Sequence, residues 1–410
     1  MKRILVCLVF VLLVPLVAVC QKDELDVMAE ASTKLTSKDI PALQQKAETG
    51  DAKAQLMLGL AYMGGFGVAA DDKQAFEWVT KSANSGYAVA QDELGAEYAN
   101  GKSVPKDDAK ALEWLRKSAE QGYAAGQYDL GTRYAYGRGT PVNYEEAARW
   151  FLKAAQQGDA KAADKLGRGS LFGEGVPKSE SAAAKWFTQA AEAGLAEGEY
   201  DLANLYRHGQ GVPKDNGLAI QWMTKAAEQG NVEAQTNLGN MFCDGSGVKK
   251  DCKRGVQWLT KAAEQGDAAG QNDLGYSYLN GEGVAKDEKV AFAWFMKAAQ
   301  QDLPIAEATV GAMYDEGMGV EKDLSKAVEW YRKAAEQGNP GAQFNLAVMC
   351  AKAQGTPRDV VSAYRWLLLA EKSGHGDQEL KALLEKGLSA EEQAEARRRA
   401  AEWTSQHQQQ

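Results

Sequence analysis

Apolar residues in one representative stretch, residues 231–266, follow the period of an α-helix. Ala234, Leu238 and Phe242 fall on one face of a first helix, helix A. The segment DGSGVKKD then interrupts the pattern, and its glycines permit the positive φ angles at which a chain leaves a helix. Asp251 precedes a second apolar period, where it can accept a backbone N–H as an N-cap. The stretch therefore predicts two helices, A and B, joined by a short loop.

The same pair recurs every 36 residues, and tryptophan marks the interval. The tryptophans at this spacing are Trp78, Trp114, Trp150, Trp186, Trp222, Trp258, Trp294, Trp330 and Trp366. A Leu-Gly pair recurs in helix A. Because glycine inside a helix costs about 1 kcal/mol relative to alanine, its repetition predicts a close approach of two helices. We expect the tryptophans to fill the core between these small residues. Nine abutting units thus cover residues 51–374 as a stacked array.

The two ends of the array depart from the unit and predict caps. Residues 39–50 resemble a lone helix B and are predicted to form an N-terminal capping helix. Residues 375–404 predict C-terminal capping helices, the second of which begins with a Ser389–Glu392 capping box. Residues 21–38 and 405–410 carry no such pattern. We expect them to be a disordered linker and a disordered tail.

The N-terminus has the pattern of a targeting segment. Lys2 and Arg3 precede an apolar run over residues 4–19, which is short for a membrane span and contains Pro15. Residues 1–20 are therefore predicted to be a signal peptide, leaving a periplasmic or secreted chain with no membrane span after processing. Cys20 leaves lipoprotein anchoring open as an alternative.

The net charge of the chain limits the classes of molecule that it is expected to bind. The whole chain carries a formal charge of -9. Removing the two cations of residues 1–20 takes the charge to -11 (-9 minus 2). An acidic protein is a poor partner for a polyanion, because nucleic acids are bound through clustered lysine and arginine. The sequence thus argues against a nucleic-acid partner.

The repeated pattern A-x-A-x-x-L-G-x-x-Y-x-x-G-x-G-V-x-x-D-x-x-K-A-x-x-W-x-x-K-A-A-x-x-G resembles the Sel-one-like repeat family, relatives of tetratricopeptide repeats. The resemblance covers about 324 residues, from 51 to 374. It implies an all-α, right-handed α-solenoid that serves as a scaffold or adaptor and that in bacteria is often exported. The departures are mild: Ser170 and Cys350 replace the helix A aromatic residue, and Asp302 replaces the glycine that closes a unit.

Candidate catalytic and metal-binding groups are sparse. The three histidines, His208, His375 and His407, have no metal-ligand spacing, so neither a metal nor a cofactor is predicted. Ser103–Lys106 and Ser246–Lys249 match S-x-x-K, and some relatives of the family have been discussed as penicillin-binding or β-lactamase-like proteins. In that chemistry the serine and lysine share one helical turn, whereas both matches here fall in predicted loops. We assign no catalytic residue from the sequence.

Cys243 and Cys252 are a candidate disulfide. They fall at the end of helix A and the start of helix B of one unit. In related exported proteins a disulfide joins the two helices of a pair, and an oxidising compartment permits one here. Two free thiols are the alternative.

Helix A of every unit has a second face. With each unit numbered from zero (Asp51 in the first), positions 3, 7, 8 and 11 form the core, and positions 2, 5 and 9 point away from it at 100° per residue. By analogy with tetratricopeptide arrays, that face lines a concave groove. Positions 5 and 9 vary from unit to unit while the core barely varies, so we expect them to be available to a partner, with drift on a solvated face as the alternative. The expected contact residues are Tyr128, Thr132, Arg168, Tyr200, Asn204, Asn240, Asn272, Tyr276 and Phe344.

These observations predict an exported, monomeric, non-enzymatic scaffold that binds protein or peptide along the concave helix A face. The alternative is an envelope enzyme, or an accessory to one, that acts on cell-wall substrates. An enzyme would show a localised cleft with a perturbed acid–base pair, whereas a scaffold would show a long groove without one.

Overall fold

The computed structural model describes residues 24–407, and every helix or strand assigned in that range is an α-helix. The chain divides into two compact units, one ending at Trp222 and the other beginning at Met223. The predicted signal peptide, including Cys20, lies outside the described residues. Among the helices of residues 24–407, none is both long enough and apolar enough to cross a membrane.

The helices up to the unit boundary are α1 Glu24–Ser32, α2 Ile40–Glu48, α3 Ala52–Gly64, α4 Asp72–Asn84, α5 Ala88–Asn100, α6 Asp108–Glu120, α7 Ala124–Tyr136, α8 Tyr144–Gln156, α9 Ala160–Phe172, α10 Glu180–Glu192 and α11 Ala196–His208. The boundary falls within α12 Asn216–Glu228. The remaining helices are α13 Val232–Asp244, α14 Cys252–Glu264, α15 Ala268–Asn280, α16 Glu288–Ala299, α17 Pro304–Glu316, α18 Leu324–Glu336, α19 Pro340–Lys352, α20 Val360–Lys372, α21 Gln378–Gly387 and α22 Ala390–His407.

From α3 to α20 the odd-numbered helices are the predicted A helices and the even-numbered ones the predicted B helices. Within each of the two compact units, helix A of a 36-residue repeat packs on helix B of the same repeat, and that helix B packs on helix A of the next repeat. The prediction of an all-α array of stacked helix pairs is thus confirmed.

Side-chain caps start the B helices as the sequence predicts. The aspartates that accept a backbone N–H at this position include Asp71, Asp107, Asp251, Asp287, Asp323 and Asp359. Asn143 accepts the N–H of Glu146 at 3.0 Å, but the Glu146 carboxylate accepts from Trp150 instead of closing the capping box. The Ser389–Glu392 box is complete, because each residue's backbone N–H donates to the other's side chain.

The second glycine of the inter-helix loop is fixed by packing. Gly175 has a φ of +71°, and a Cβ there would overlap the backbone of Tyr144 at the start of the preceding helix B. Where glycine is missing from left-handed positions the chain keeps the conformation, with a φ of 59° at Asp302 and 55° at Ala353. The fold therefore tolerates these substitutions, although a left-handed conformation costs a non-glycine residue about 1 kcal/mol.

The residue that follows each tryptophan fills the space between the two helices of a unit. Phe187 is fully buried, and a Cβ on Gly167 would stand 2.5 Å from its ring. Phe151 faces Gly131 in the same way, and a Cβ there would lie 2.7 Å from its ring. This contact explains the repeated Leu-Gly pair and confirms the predicted close approach of the helices.

The predicted role of the tryptophans is wrong in six of the nine units, where the indole is only half-buried. Trp114 and Trp150 lie at the surface, and the ammonium groups of Lys117 and Lys153 stand 3.9 and 3.8 Å from their ring centroids. The indole can occupy this position because one face packs on the protein and the other binds a cation.

A row of buried glutamines joins successive units, and the sequence reading missed it. Gln127, at position 4 of helix A, donates from Nε2 to the carbonyl of Ala119 in the preceding helix B at 3.2 Å. Gln157, at the end of its own unit, donates to Gln127 Oε1 at 2.9 Å. The same relay recurs at Gln91, Gln235 and Gln271. Each relay gives a second donor to a carbonyl oxygen in the last turn of helix B, which also accepts the backbone N–H of the glycine that closes the repeat.

The ends of the array are more ordered than predicted. Residues 24–32, predicted to be disordered, form α1. Its Met28 is buried, and its Glu24 accepts from the Lys53 ammonium at 2.6 Å and the Tyr87 hydroxyl at 2.9 Å. At the other end, α22 continues to His407, past the predicted start of the tail at residue 405. Helix α22 is held because Ala396 and Ala400 are buried in the last core cluster.

Candidate binding face on the A helices

The exposed stripe of each A helix runs along positions 2, 6, 9 and 13, where side chains are half-buried or exposed in nearly every unit. We call this surface the helix A stripe. Position 5 does not belong to it: Asp164, Thr236 and Asn272 are 5 to 8% exposed. The prediction that position 5 is free of packing is therefore wrong. Position 5 lies 40° around the helix axis from position 9, and neighbouring A helices contact each other on that side.

The aromatic residues at position 5 are half-buried and contribute to the core. The Tyr128 ring centroid lies 5.8 Å from that of Phe151, and burial raises the pKa of its hydroxyl. Tyr200 is also half-buried, and Phe344 packs against the core cluster beneath α22. These rings therefore support the stripe more than they form it.

In the compact unit that ends at Trp222, Arg168 links two A helices. Its Nε lies 3.2 Å from Asp164 Oδ2, one turn earlier, and its Nη2 lies 2.9 Å from Asp201 Oδ2 of the next helix pair. Burial raises the pKa of both carboxyl groups, that of Asp201 to about 7, and Arg168 opposes the rise in both. The Asp164 carboxyl adds to the rise in the pKa of Asp201. Thr132 and Asn204 lie half-buried on the same stripe.

In the compact unit that begins at Met223, the same bracing is made by hydrogen bonds without an arginine. Asn240 donates from Nδ2 to Asp273 Oδ2 at 2.7 Å, and the Tyr276 hydroxyl lies 3.1 Å from Thr309 Oγ1. The Tyr276 ring also meets Phe295 edge to face at a centroid distance of 4.8 Å. Asn272 is buried and donates to the other carboxylate oxygen of Asp273 at 3.1 Å.

These contacts obey one rule: position 9 of a unit bonds to position 6 of the next, 33 residues later. The pairs are Arg168–Asp201, Asn240–Asp273 and Tyr276–Thr309. The sequence carries the signal, since a charged or hydrogen-bonding pair stands at that separation in each case. The predicted contact residues thus have a structural role that the sequence reading did not assign.

Cys243 and Cys252 are joined by a disulfide in the structure. Gly255 makes room for it, because a Cβ there would lie 2.6 Å from Cys243 Sγ. The other eight units carry alanine at this position. Cys350 is a free, buried thiol.

A family model described as the Sel1 repeat matches nine consecutive segments that together run from residue 52 to residue 375. The chain belongs to the Sel1 repeat family. Its Sel1 repeats also resemble those of solved structures. A protective antigen of uropathogenic Escherichia coli strains, with an SLR fold, is 32% identical, with 90% of this chain and 87% of that one covered and a TM-score of 0.60. A Sel1 repeat protein from Oxalobacter formigenes is 34% identical, with 80% and 94% covered and a TM-score of 0.58. No curated protein matches the chain.

The third and fourth Sel1 repeats carry an apolar surface that the sequence reading missed. Tyr136, Val142, Tyr144, Leu152 and Phe172 are all exposed there, whereas the rest of residues 24–407 exposes three other large apolar side chains. The signal was present in two places: position 13 is aromatic in these repeats alone, and Ser170 interrupts the row of helix A aromatic residues.

Proposed function

We propose that this protein is a scaffold that binds a protein or peptide partner along the helix A stripe. The Sel1 repeat fold is suited to protein–protein interaction. The observation that carries the proposal is the bracing of the stripe: Arg168, Asn240 and Tyr276 are each held by the following repeat. Binding to side chains that are already ordered loses less conformational entropy than binding to mobile ones.

The side chains that are held by the following repeat still have hydrogen-bonding groups that can bind a ligand. The Arg168 guanidinium has five N–H donors, and its two carboxylate contacts leave some of them to bind a partner carbonyl. Asn204 lies half-buried on the same stripe and can donate and accept in the same way, whereas the Thr132 hydroxyl oxygen is buried and Thr132 contributes its position on the stripe. An extended peptide, with an unpaired backbone donor and acceptor at every residue, suits such a row of polar side chains.

Site-directed photocrosslinking tests this proposal. A photoreactive amino acid at Asn204 should give an adduct with one defined protein in an envelope fraction, while the same residue at the exposed Gln156 of helix B should not. In a second arm, Thr132→Glu with Asn204→Glu should reduce recovery of that protein about tenfold, as expected for an interface contact. Gln156→Glu with Gln221→Glu makes the same charge change elsewhere. Equal recovery by both double variants would remove the helix A stripe as the binding face.

We further propose that the protein acts outside the cytoplasm, as a periplasmic or secreted monomer. The apolar run of residues 4–19 and the Cys243–Cys252 disulfide support this location. The Escherichia coli relative is described as a protective antigen, which is compatible with it. Intact-mass measurement of the protein from its native host should show loss of about the first 20 residues. A full-length mass in the cytoplasmic fraction would contradict export.

A hydrolytic role on cell-wall material is the second candidate, and the Asp164–Asp201 pair favours it, since a carboxyl group with a pKa of about 7 can act as a general acid. The two S-x-x-K matches lie in inter-helix segments, outside the helices. Fluorescent penicillin labelling and a cell-wall digestion assay test the candidate. Labelling lost in Ser103→Ala or Ser246→Ala, or digestion lost in Asp201→Asn, would support it, and wild-type protein inert in both assays would exclude it.

A further inference from the structure

One repeat lacks the ring that fills the same place in its neighbours. At position 11 of helix A, seven of the nine repeats carry tyrosine or phenylalanine. The ring packs between the preceding helix B and the tryptophan of its own repeat. Tyr98, for example, meets Phe76 edge to face at 5.9 Å, and Tyr134 packs with Leu112 and Trp150.

In the fourth repeat this place is vacant. Ser170 stands at position 11, and Ala148 takes the place that Leu112 holds in the preceding repeat. The result is a recess of about 540 Å³, within the range of about 300–1,000 Å³ typical of ligand pockets. Its apolar walls are Ala148, Leu152, Leu166, Val176, Pro177 and Trp186.

The ninth repeat also lacks the ring, with Cys350 at position 11, and Cys350 lies in one core cluster with Val328. Val328 occupies the position that Ala148 holds in front of Ser170. The fourth repeat differs from the ninth because the residues on both facing helices, Ala148 and Ser170, are small.

The recess opens onto the exposed apolar surface of the third and fourth repeats. Leu152 forms part of its wall and is 38% exposed. A second, smaller recess of about 220 Å³ shares Ala148, Leu166 and Val176 with the first and is also lined by Tyr136 and Tyr144. The two recesses form one apolar site, which we call the Ser170 site.

The Ser170 site also has a polar edge that reaches the helix A stripe. Arg168, Lys165 and Glu174 line the smaller recess, and Glu145 and Arg149 line the larger one. Arg168 is already paired with Asp164 and Asp201, whereas half-buried Lys165 acts on Asp164 only from a distance and makes no ion pair within 4.0 Å in residues 24–407. A carboxylate on the partner would complement this ammonium group, since a half-buried charge gains from an opposite charge.

We propose that the Ser170 site takes the aromatic side chain of a peptide segment with an acidic residue nearby. The proposal rests on the proposed peptide-binding function and names the chemistry of its partner. The partner ring occupies the place that a tyrosine of the chain occupies in other repeats, against the same apolar walls. The acidic residue lies against Lys165.

The decisive variant restores the missing ring. Ser170→Tyr fills the recess from within, and the fifth repeat shows that tyrosine fits opposite alanine, since it carries Tyr206 with Ala184 at the facing position. We expect this variant to melt at or above the wild-type temperature. Ser325→Tyr, at an exposed site in α18, is the matched control.

Random twelve-residue peptides selected on the wild-type protein are the probe. The selected peptides should share one aromatic residue with an aspartate or glutamate nearby, bind Ser170→Tyr about tenfold more weakly and bind Ser325→Tyr like the wild type, as for loss of an interface anchor. Replacing the shared aromatic residue by alanine should have the same effect, and Lys165→Gln should weaken binding and its salt dependence. Selected peptides without an aromatic residue, or equally tight binding to Ser170→Tyr, would overturn the proposal.

Two further outcomes separate the proposals. A wild-type dimer in sedimentation that Ser170→Tyr dissociates would make a second copy of this chain the occupant and overturn the peptide assignment. If Ser170→Tyr leaves peptide binding intact while the Thr132→Glu, Asn204→Glu variant abolishes it, the Ser170 site fails and the helix A stripe stands. If selection yields no peptide at all, both fail.

Discussion

Single residues set how closely the helices approach, and glycine at position 8 is the clearest case. Its sequence signal was readable, because a glycine repeated inside helices must be offset by packing. The side chain that packs on this glycine could not be predicted from the sequence. Tryptophan is the largest side chain in the repeat, yet the buried contact is made by the next residue, such as Phe187 on Gly167. Periodicity gives the face of a helix, whereas the choice between two adjacent apolar residues depends on the angle at which the helices cross.

Gly167→Ala should destabilise the compact unit that ends at Trp222, even though alanine is the better helix former. The added Cβ would stand 2.5 Å from the Phe187 ring, and overpacking of a core costs about 1–3 kcal/mol. Gly341→Ala is the control, since a Cβ there meets only Asn339 Oδ1 at 3.5 Å. It should be neutral or stabilising by up to about 1 kcal/mol. Thermal unfolding compares the two, and equal shifts would argue against the packing explanation.

The Asp164–Asp201 pair makes a prediction about pH. Because the pKa of Asp201 is raised to about 7 in the folded state, the unfolded chain releases its proton at a lower pH than the folded chain does. Stability from this residue is therefore full below the unfolded pKa, about 3.9, and is lost as pH rises toward the folded pKa. Arg168 and Asp164 act on Asp201 directly, Lys165 and Glu197 act on Asp164, and all four remain in the variant that tests the prediction.

Asp201→Asn removes that titration. The wild-type melting temperature should fall more between about pH 4.5 and about pH 7.5 than that of the variant. Asp273→Asn, at the equivalent position of the second unit, is the control and should keep the wild-type pH dependence. Identical pH profiles for wild type and Asp201→Asn would show that the carboxyl does not titrate in this window.

At the scale of the helix, caps and loops were the most predictable features. N-cap aspartates and loop glycines act through their own backbone neighbours, so local sequence determines them. Position 5 was misassigned because its burial depends on the distance to the next A helix, which no single repeat encodes. The buried glutamines were missed for a related reason: Gln127 and Gln157 are 30 residues apart, and only the stacking of helices joins them.

The disulfide is the element whose removal is easiest to measure. Replacing Cys243 and Cys252 with serine should lower the free energy of unfolding by about 2–3 kcal/mol, because the bond restrains the unfolded chain. The measurement is urea unfolding with and without a reductant. Wild-type protein should lose stability on reduction and the double variant should not. A wild type insensitive to reductant would indicate free thiols.

At the scale of the molecule, the repeat array was predictable from one sequence because nine copies of a pattern reinforce one another. The capping helices at the two ends were less predictable from the sequence. Helix α1 lies outside the repeats, and it is held by the contacts of Glu24 and Met28 with Lys53 and Tyr87 of the first two repeats. The predicted function was readable only as a class, since partner choice lies in surface positions that carry no repeat.

Removing the final helix should test whether it acts as a cap. A chain ending at residue 389 would expose the cluster in which Ala396 and Ala400 are buried, together with the partly buried Trp403. We expect a lower melting temperature and binding of the dye ANS, both from apolar surface left without cover. A chain ending at residue 404, which keeps that core, is the control. Unchanged melting and no dye binding would show that α22 does not cover the array.

The glutamine relay has a consequence for how the array can change in length. Both glutamines of a relay lie in one repeat and bind only backbone carbonyls of the preceding repeat, so gain or loss of a 36-residue segment leaves those junctions chemically intact. The fourth repeat is different: both relay positions are alanine, Ala163 and Ala193, and Gln189 satisfies the Ala155 carbonyl instead. A duplicate of the fourth repeat would join its neighbour through Gln189 instead of through the relay. The repeat that holds the recess thus also has its own way of binding the repeat before it.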